Sequence, residues 1–272
     1  MLVSLNEILP KAQKEGYAVG LFNTIDTDML EGVLSAAEEL RSPVIIGTAE
    51  VLLPYGELKL IAPSILAAAR RASVPVAVHY DHGLTLSRCI EALSLGFSSI
   101  MYDGSTKPVD ENLRETRELV RIAHAFGASV EGEIGHVGNV GEDAENYTTP
   151  EEAREFIAST GVDALAIAIG TAHGAYKTKP KLDIGRLKQI RAAVDTPLVL
   201  HGGSGLTDED FRSTVAGGIA KINIFTDLCV AGIKAVKECP ENDYLLARKS
   251  KVEAIRQATM AKMRLFGSVG KA

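Results

Sequence analysis

The strongest constraint on the fold is a regular alternation of short apolar runs with amphipathic stretches along the whole chain. Eight apolar runs have the length and the branched side chains typical of β-strands: YAVGLFN, PVIIG, VPVAVHY, SSIMYD, SVEGEIG, ALAIAIG, PLVLHGG and KINIF. The stretches between them, such as DMLEGVLSAAEEL and PEEAREFIAST, have helical periodicity, and several begin at Thr, Asp or Pro and end at Gly. Almost continuously apolar strands joined by helices indicate parallel pairing with both faces of the sheet covered.

Eight strand and helix units in a chain of 272 residues predict an α/β protein with a (β/α)8 barrel, the TIM-barrel fold. An extra N-terminal helix is predicted at SLNEILPKAQKEG, and a C-terminal helical extension at ENDYLLARKSKVEAIRQATMAKMRLFG. An open doubly wound sheet is the alternative, but GLFNTIDTDM follows the first strand in place of a GxGxxG turn. No Gly/Ser-rich linker or low-complexity tract divides the chain, so we predict a single barrel domain over residues 1–272.

Charge and composition argue against several classes of function. The chain has 29 basic and 35 acidic residues, a formal net charge of -6, and scattered Lys and Arg positions, so no nucleic-acid surface is expected. No apolar run approaches the roughly 18 residues that span a bilayer, and the N-terminus lacks the features of a signal peptide, so no membrane association is expected. The three cysteines form no CxxC pair, which favours a reducing, cytoplasmic location.

Polar side chains follow the predicted strands at the point where each strand ends. In a barrel of this type the chemistry collects at the carboxyl ends of the strands, so these side chains are expected to lie together. Adjacent residues of a strand point to opposite faces, so Asp81 and His82 are expected to have different roles. The polar residues at strand ends are Asn23, Asp81, His82, Asp103, Ser105, Glu131, Glu133, His173, His201, Asn223 and Thr226.

Three histidines at the ends of different strands form a candidate metal site. Neutral imidazoles from His82, His173 and His201 would leave one position open for a substrate, which is a common arrangement for catalytic zinc. Any one of them taken alone is more often a hydrogen-bonded structural residue, but three strand ends together favour ligation. His79 is predicted to be structural or to orient a ligand, and His136 lies in a Gly-rich loop.

Glycine-rich segments after the last two strands form a candidate phosphate site. The segments are HGGSGLTDED and NIFTDL, and many barrels bind phosphate at this place through backbone N–H groups and a helix N-terminus. Glycines let the backbone approach an anion, and Ser204 and Thr226 can donate hydroxyl groups. The first segment directly follows His201, so a phosphate there would lie within one small ligand's length of the metal.

The chain resembles the class II, metal-dependent ketose-bisphosphate aldolases of the fructose- and tagatose-bisphosphate type. The resemblance covers essentially the whole chain and rests on GLFN, VHYDHG, IMYDGS, VEGEIGHVG, GTAHGAYK, VLHGGSG, KINIFTD and RLFGSVGKA, in that order. It implies a carbon–carbon lyase of carbohydrate metabolism, as in glycolysis, that reversibly cleaves a ketose phosphate or bisphosphate to dihydroxyacetone phosphate and an aldehyde. It also implies Zn2+ or another divalent ion, a monovalent cation such as Na+ or K+, and a homodimer or homotetramer.

The resemblance also implies roles for individual residues. His82, His173 and His201 would bind the zinc ion, with Glu133 and Asp103 matching an alternative inward metal position. Asp81 would be the acid/base at the hydroxyl group on the carbon whose C–C bond is cleaved. Glu142, on the loop after the fifth strand, would protonate the enediolate. The residues expected to bind the substrate are Asn23, Gly174, Lys177, Gly202, Gly203, Ser204, Asn223 and Thr226.

Three departures from the family pattern concern the aldehyde half of the substrate and the loop acid. The loop HVGNVGEDAENYTTPEE is short, and Glu142 is displaced by one residue from the expected spacing. Similar aldolases often have a Ser and a Gly near the phosphate of the aldehyde fragment in the turn after the second strand, and here that turn reads Gly47, Thr48, Ala49, Glu50 and Val51. Phe225 replaces a residue that is usually smaller or polar. We therefore expect the site for dihydroxyacetone phosphate to be retained and the aldehyde fragment to differ from glyceraldehyde 3-phosphate.

Three other functions remain as alternatives. A Schiff-base aldolase needs a buried lysine in the strands, but ALAIAIG has none and Lys221 is expected at the start of the eighth strand, away from the site. A zinc hydrolase on the same barrel is possible, although no HxH pair ends the first strand. The non-enzymatic alternative is a sugar-phosphate- or metal-binding barrel protein that has lost turnover through its altered loop.

Overall fold

The computed structural model describes residues 1–138, 147–174, 176, 180–240 and 243–272. In chain order its strands are β1 (Leu2–Val3), β2 (Val19–Asn23), β3 (Val44–Ala49), β4 (Val76–Gly83), β5 (Ser99–Tyr102), β6 (Ser129–Ile134), β7 (Ala164–Ile167), β8 (Leu198–Leu200) and β9 (Ile219–Ile224). Its α-helices are α1 (Leu5–Glu15), α2 (Thr27–Leu40), α3 (Leu58–Arg71), α4 (Leu86–Leu95), α5 (Val109–Ala125), α6 (Pro150–Thr160), α7 (Ile184–Ala193), α8 (Asp208–Ala216), α9 (Thr226–Lys237) and α10 (Tyr244–Phe266).

Strands β2 to β9 form a closed parallel barrel within the described residues, and the predicted TIM-barrel fold is confirmed. The ring closes where β9 pairs with β2, and Asn223 of β9 lies beside Leu21 of β2. The short β1 pairs with the first residues of β4, at Val76 and Ala77, below the point where β5 joins β4 at His79. Each of the eight predicted apolar runs overlaps one barrel strand, although β3, β4 and β9 extend beyond the runs that predict them.

Several helices begin and end at residues of the type that the sequence pattern predicts. Asp26 accepts a hydrogen bond from the backbone N–H of Met29 at the start of α2, and Thr149 forms a capping box with Glu152 at the start of α6. Gly161 ends α6 in the left-handed conformation that favours glycine. These local signals fix the lengths of the helices and hence the positions of the loops at both ends of the barrel.

The two ends of the barrel differ in polarity. The extra helix α1 covers the amino end, where its Leu5 and Leu9 are buried with apolar side chains from the barrel interior such as Leu21, Ile45 and Val199. The buried polar side chains near the other end include carboxylates, imidazoles and amides. The apolar amino end contributes to the stability of the barrel, and the polar carboxyl end is where barrels of this type have their functional sites.

The C-terminal extension packs on the outside of the barrel. In α10, Lys251 forms ion pairs with Asp26 and Asp28 of the α2 region, and Arg256 pairs with Glu39 of α2. Among the described helices, none is long and apolar enough to cross a membrane.

Candidate active site and metal centre

Three imidazole rings meet at the carboxyl end of the barrel. His82 lies at the end of β4, His173 follows β7, and His201 follows β8. Their candidate ligand atoms all lie within 4.8 Å of one another. One ring nitrogen of each is buried without a hydrogen-bond partner in the described part of the chain: His82 Nε2, His173 Nε2 and His201 Nδ1. A buried nitrogen normally has a partner, so three unpartnered lone pairs in one place fit a bound metal ion.

An irregularity in β4 brings both Asp81 and His82 into this site. The pairing of β4 with β5 shifts register between Tyr80 and Gly83, and His82 has a left-handed backbone with φ 46°. A non-glycine residue in that conformation carries a cost of roughly 1–2 kcal/mol. The extra residue breaks the alternation of faces, so the two neighbours can reach the same cavity.

Carboxylates fix the orientation of two of the imidazoles. The Nδ1 atom of His82 lies 2.7 Å from Asp103 Oδ2, and the Nε2 atom of His201 lies 2.8 Å from Glu131 Oε1. A carboxylate only accepts hydrogen bonds, so each of these ring nitrogens carries a proton, and the opposite ring nitrogen is the one that can offer a lone pair to a metal. Asp103 is held in turn by Ser105, whose Oγ donates to Asp103 Oδ1 at 2.6 Å.

Charges around the three rings favour a cation between them. Burial opposes a charged His82, yet the neighbouring carboxylates, Asp81 and Asp103 among them, raise its pKa to about 9. Burial lowers the pKa of His173 to about 3 and also lowers the pKa of His201, so both rings are neutral near pH 7. The site thus combines two neutral imidazoles with carboxylates that stabilise positive charge at His82, and a divalent ion that took the place of the second proton of His82 would match both.

Glu133 provides a further donor beside the imidazoles. Its Oε2 atom is buried and lies 3.4 Å from His201 Nδ1, and Glu133, His82 and Asp103 form a second group with ligand atoms within 4.8 Å. Burial, followed by repulsion from Asp103, raises the pKa of Glu133 to about 8. A nearby cation would favour its carboxylate form, so this group could hold a metal in a second position.

Asp81 is the carboxylate that lines the cavity next to the rings. Asn23 Nδ2 donates to Asp81 Oδ2 at 2.8 Å, and Asn223 Nδ2 donates to Asp81 Oδ1 at 3.1 Å. Burial favours the neutral acid, but the charges of His82 and Lys221 hold the pKa of Asp81 well below its ordinary value. Asp81 is therefore ionised and fixed in position, as a general base must be.

These groups open into a cavity of about 360 Å³. Its lining includes two chemically different groups of residues. The first, the glycine-rich wall, contains Gly174, Gly202, Gly203, Ser204, Asn223 and Thr226, and the second, the aliphatic wall, contains Ala49, Val51, Leu52 and Leu84. The cavity is of a size that holds a small organic ligand.

Glycine lets the loop 202–204 pack closely against the neighbouring backbone. Gly202 has φ 65°, and a Cβ there would overlap the backbone oxygen of Ala172. A Cβ at Gly203 would lie 2.9 Å from the backbone oxygen of Asn223. Ser204 Oγ accepts hydrogen bonds from the backbone N–H groups of Phe225 and Asp227, which ties this loop to the first turn of α9. The N-terminus of α9 therefore lies beside this loop, and a helix N-terminus suits a phosphate.

Most of the predicted site residues lie in or directly beneath this cavity. Asn23, Asp81, His82, Asp103 and His173 line it, together with the residues of the glycine-rich wall. His201 and Glu133 are fully buried beside the rings. Lys177 and Glu142 fall outside the described residues.

Sequence reasoning misplaced Lys221 and gave no role in the site to two loop residues that support it. It expected Lys221 at the start of its strand and away from the site, and this is wrong. Lys221 is the third residue of β9 and is fully buried, with Nζ 2.7 Å from Glu131 Oε2. Despite burial, Lys221 and His201 lower the pKa of Glu131 to about 2. Alternation within KINI places Lys221 on the same face as Asn223, and that signal could have placed Lys221 beside Glu131, which the strand-end rule had already identified.

The two loop residues that support the site are His136 and Tyr176. His136 lines the cavity, and its Nδ1 lies 3.0 Å from Ser105 Oγ. The hydroxyl group of Tyr176 accepts from the backbone N–H of Ala172 and donates to the backbone oxygen of Gly202, each at 2.8 Å. Tyr176 thereby connects the loops after β7 and β8. No strand-end rule identifies either residue, because both lie in loops.

Comparison with known proteins identifies the family of this chain. A family model described as fructose-bisphosphate aldolase class-II matches residues 3–271. The uncharacterized protein YdjI of Escherichia coli K12 is 41% identical over 266 residues, which is 96% of each chain. The fructose-bisphosphate aldolase of Geobacillus stearothermophilus is 40% identical over 283 residues, covering 100% of this chain and 99% of the relative. The crystal structure of the YdjI aldolase matches with TM-score 0.93 and 38% identity over 100% of both chains. The chain therefore belongs to the class II fructose-bisphosphate aldolase family and is an aldehyde-lyase.

Proposed function

We propose that this protein is a zinc-dependent aldolase that reversibly cleaves a ketose phosphate to dihydroxyacetone phosphate and an aldehyde. The observation that carries the proposal is the convergence of three unpartnered imidazole nitrogens beside the ionised Asp81 at the open end of the barrel. Retro-aldol cleavage needs a base for a hydroxyl proton and a sink for the electrons left on the ketone fragment. Both requirements can be met within this cavity.

His82, His173 and His201 would hold the divalent ion, and Glu133 with Asp103 would provide the alternative position. When bound there, the ion supplies the positive charge that stabilises the developing enediolate. Asp103 and Glu131 keep two of the imidazoles in the protonation state that ligation needs.

Asp81 would remove the proton from the hydroxyl group at the cleaved bond and return it in the condensation direction. The amides of Asn23 and Asn223 hold its carboxylate from two sides, so it acts from a fixed position. For the proton that must reach the enediolate carbon we propose Glu142, because the family resemblance puts a carboxylate of this loop in that role.

The phosphate of dihydroxyacetone phosphate would lie against the loop 202–204 and the first turn of α9. The close backbone at Gly202 and Gly203 and the helix N-terminus support this position. We assign Gly174, Asn223 and Thr226 to the same fragment, because all three line the cavity here. Lys177 and a monovalent cation remain part of the proposal through the family resemblance.

The aldehyde fragment would face the aliphatic wall. Val51, Leu52 and Leu84 line that part of the cavity, and none of the described lining residues is Lys or Arg. A phosphate dianion there would be desolvated without a counter-charge, which is unfavourable. We therefore propose that the preferred aldehyde has no phosphate group.

A coupled assay of the zinc-loaded protein tests these proposals. Dihydroxyacetone phosphate is offered with a panel of phosphorylated and unphosphorylated aldehydes, and its consumption is measured. We expect turnover with several unphosphorylated aldehydes at a kcat/KM above that for glyceraldehyde 3-phosphate. Turnover that is fastest with glyceraldehyde 3-phosphate would refute the assignment of the aldehyde, and no consumption with any aldehyde would refute the function.

The proposal also includes a cytoplasmic location and a homodimer or homotetramer. Light scattering on the purified protein measures the second point directly, and a single monomeric species at micromolar concentration would contradict it.

A further inference from the structure

A buried lysine lies directly beneath the proposed active site. The ammonium group of Lys221 is fully buried inside the barrel, 2.7 Å from Glu131 Oε2, and it donates a hydrogen bond to Asn223 Oδ1 at 2.8 Å. Each of these partners contacts one functional group of the cavity floor. Glu131 contacts His201, and Asn223 contacts Asp81. A single cation thus connects the candidate metal centre with the candidate base.

The first connection determines which nitrogen of His201 faces the metal site. Glu131 uses Oε2 for the ion pair with Lys221 and Oε1 for the hydrogen bond from His201 Nε2. The ion pair prevents the carboxylate from turning, so the acceptor for Nε2–H stays in place. As a result His201 keeps its proton on Nε2 and directs the lone pair of Nδ1 towards His82 and His173.

The second connection determines the orientation of the Asn223 amide. An ammonium group only donates hydrogen bonds, so the amide oxygen of Asn223 must face Lys221 and its NH2 group must face Asp81. Asn23, on the other side of Asp81, has no such constraint: its Oδ1 is buried without a partner in the described part of the chain. Of the two amides that hold the base, only that of Asn223 is locked by a charged group.

We propose that Lys221 is a positioning residue that sets both the metal-facing nitrogen of His201 and the amide donor that faces Asp81. This inference rests on the proposed metal-dependent aldolase function. A buried ammonium is costly to desolvate, and an apolar side chain of similar length would fill the same space. The contacts of Lys221 with Glu131 and Asn223 explain why this position holds a charged side chain, because these contacts set the geometry of the site.

Two variants separate the two connections. Lys221→Met removes the ammonium group and frees both Glu131 and Asn223. In Lys221→Met/Glu131→Gln the amide oxygen at position 131 can still accept from His201 Nε2, and no unpaired carboxylate remains buried. The double variant therefore restores the connection to His201 and leaves Asn223 without its donor. Lys251→Met, which removes a lysine of α10 that pairs with Asp26 and Asp28 on the outside of the barrel, is the control for loss of one positive charge.

The measurements are the affinity of the metal-free protein for Zn2+, by competition with a chromophoric chelator, and kcat and KM for retro-aldol cleavage. For Lys221→Met we expect Zn2+ affinity to fall about 10- to 100-fold, as is typical when a partner of a metal ligand is removed. For the double variant we expect Zn2+ affinity within about threefold of wild type, kcat at least tenfold lower, and KM nearly unchanged. A role in packing alone would not separate metal affinity from kcat in this way.

Wild-type Zn2+ affinity and kcat in folded Lys221→Met would overturn the inference, and so would a wild-type kcat in the double variant. If Lys221→Met does not fold, as judged by circular dichroism, Zn2+ affinity and kcat are measured in the double variant alone, and a wild-type kcat there overturns the inference. Failure of the proposed function can be distinguished from failure of the inference about Lys221, because in the first case the wild-type protein would bind no Zn2+ or would cleave without it. The Lys251→Met control is expected to match wild type in both measurements.

Discussion

Replacing Asp81 with Asn tests the proposed base with little disturbance of the fold. Asp81 accepts one hydrogen bond from Asn23 and one from Asn223, and an amide at position 81 can accept only one of them. Asn223 cannot turn without losing Lys221, but Asn23 can, since its Oδ1 has no partner among the described residues. We expect the Asn23 amide to rotate and accept from the new NH2 group.

The structural cost and the catalytic cost of Asp81→Asn are expected to differ widely. A hydrogen bond to a charged group contributes about 1.5–3 kcal/mol, part of which the rotated amide recovers. We therefore expect a loss of about 1–2 kcal/mol in the free energy of unfolding, or roughly 2–8 °C in Tm for a chain of this size. Loss of a general base lowers the rate by about 10²- to 10⁴-fold, which corresponds to about 3–5 kcal/mol in the activation barrier.

Three measurements on Asp81→Asn separate these effects: bound zinc per chain by elemental analysis, thermal unfolding, and the rate of dihydroxyacetone phosphate release. We expect full zinc content, a modest fall in Tm and a 10²- to 10⁴-fold lower kcat. His173→Ala is the matched comparison, because it removes one imidazole and should lose the zinc as well. Cleavage by Asp81→Asn within tenfold of wild type would refute the role of the carboxylate.

Three further substitutions or treatments follow from close contacts and burial. Gly202→Ala places a Cβ against the backbone of Ala172 at a positive φ, so we expect at least a tenfold higher KM for dihydroxyacetone phosphate in the condensation assay with zinc content unchanged; an unchanged KM would contradict the phosphate assignment. Gly47→Ala puts a Cβ 2.7 Å from Asn23 Oδ1 and should lower kcat more than KM in steady-state cleavage, whereas unaltered kinetics would show that Asn23 is dispensable. Burial raises the pKa of the Cys89 thiol to about 12, and only the thiolate reacts with an alkylating reagent. Alkylation of Cys89 in the native protein, followed by peptide mass spectrometry, should therefore become faster as pH rises towards that value and should be at least a hundredfold slower at pH 8 than in urea. Equal rates in the native protein and in urea would contradict the burial of Cys89.

The fold could be predicted because its local and global signals agree. Apolar runs such as ALAIAIG are too short for helices and too continuous for a half-exposed sheet, and the stretches between them carry recognisable caps at Asp26, Thr149 and Gly161. Nothing in eight such units conflicts with parallel pairing. The exact strand ends, such as Ile167 in a run that continues to Gly170, depend on neighbouring strands and not on local pattern.

The site could be predicted only to the level of which strand ends it uses. The rule that barrel chemistry lies at the carboxyl ends of strands brought together His82, His173 and His201. Alternation alone would have put Asp81 and His82 on different faces, because the bulge in β4 depends on pairing with β5. The depth of Lys221 in the barrel was misjudged for the same reason, since the stagger of β9 against its neighbours sets it.

If a zinc ion held by the three histidines is needed for cleavage, the rate of cleavage must depend on the amount of zinc bound per chain. The protein is stripped by exhaustive chelation, zinc is added back stepwise, and bound metal and dihydroxyacetone phosphate release are measured on the same samples. We expect cleavage to disappear with the metal and to return in proportion to it, up to about one ion per chain for one three-histidine site. Full cleavage by the metal-free protein would contradict this expectation.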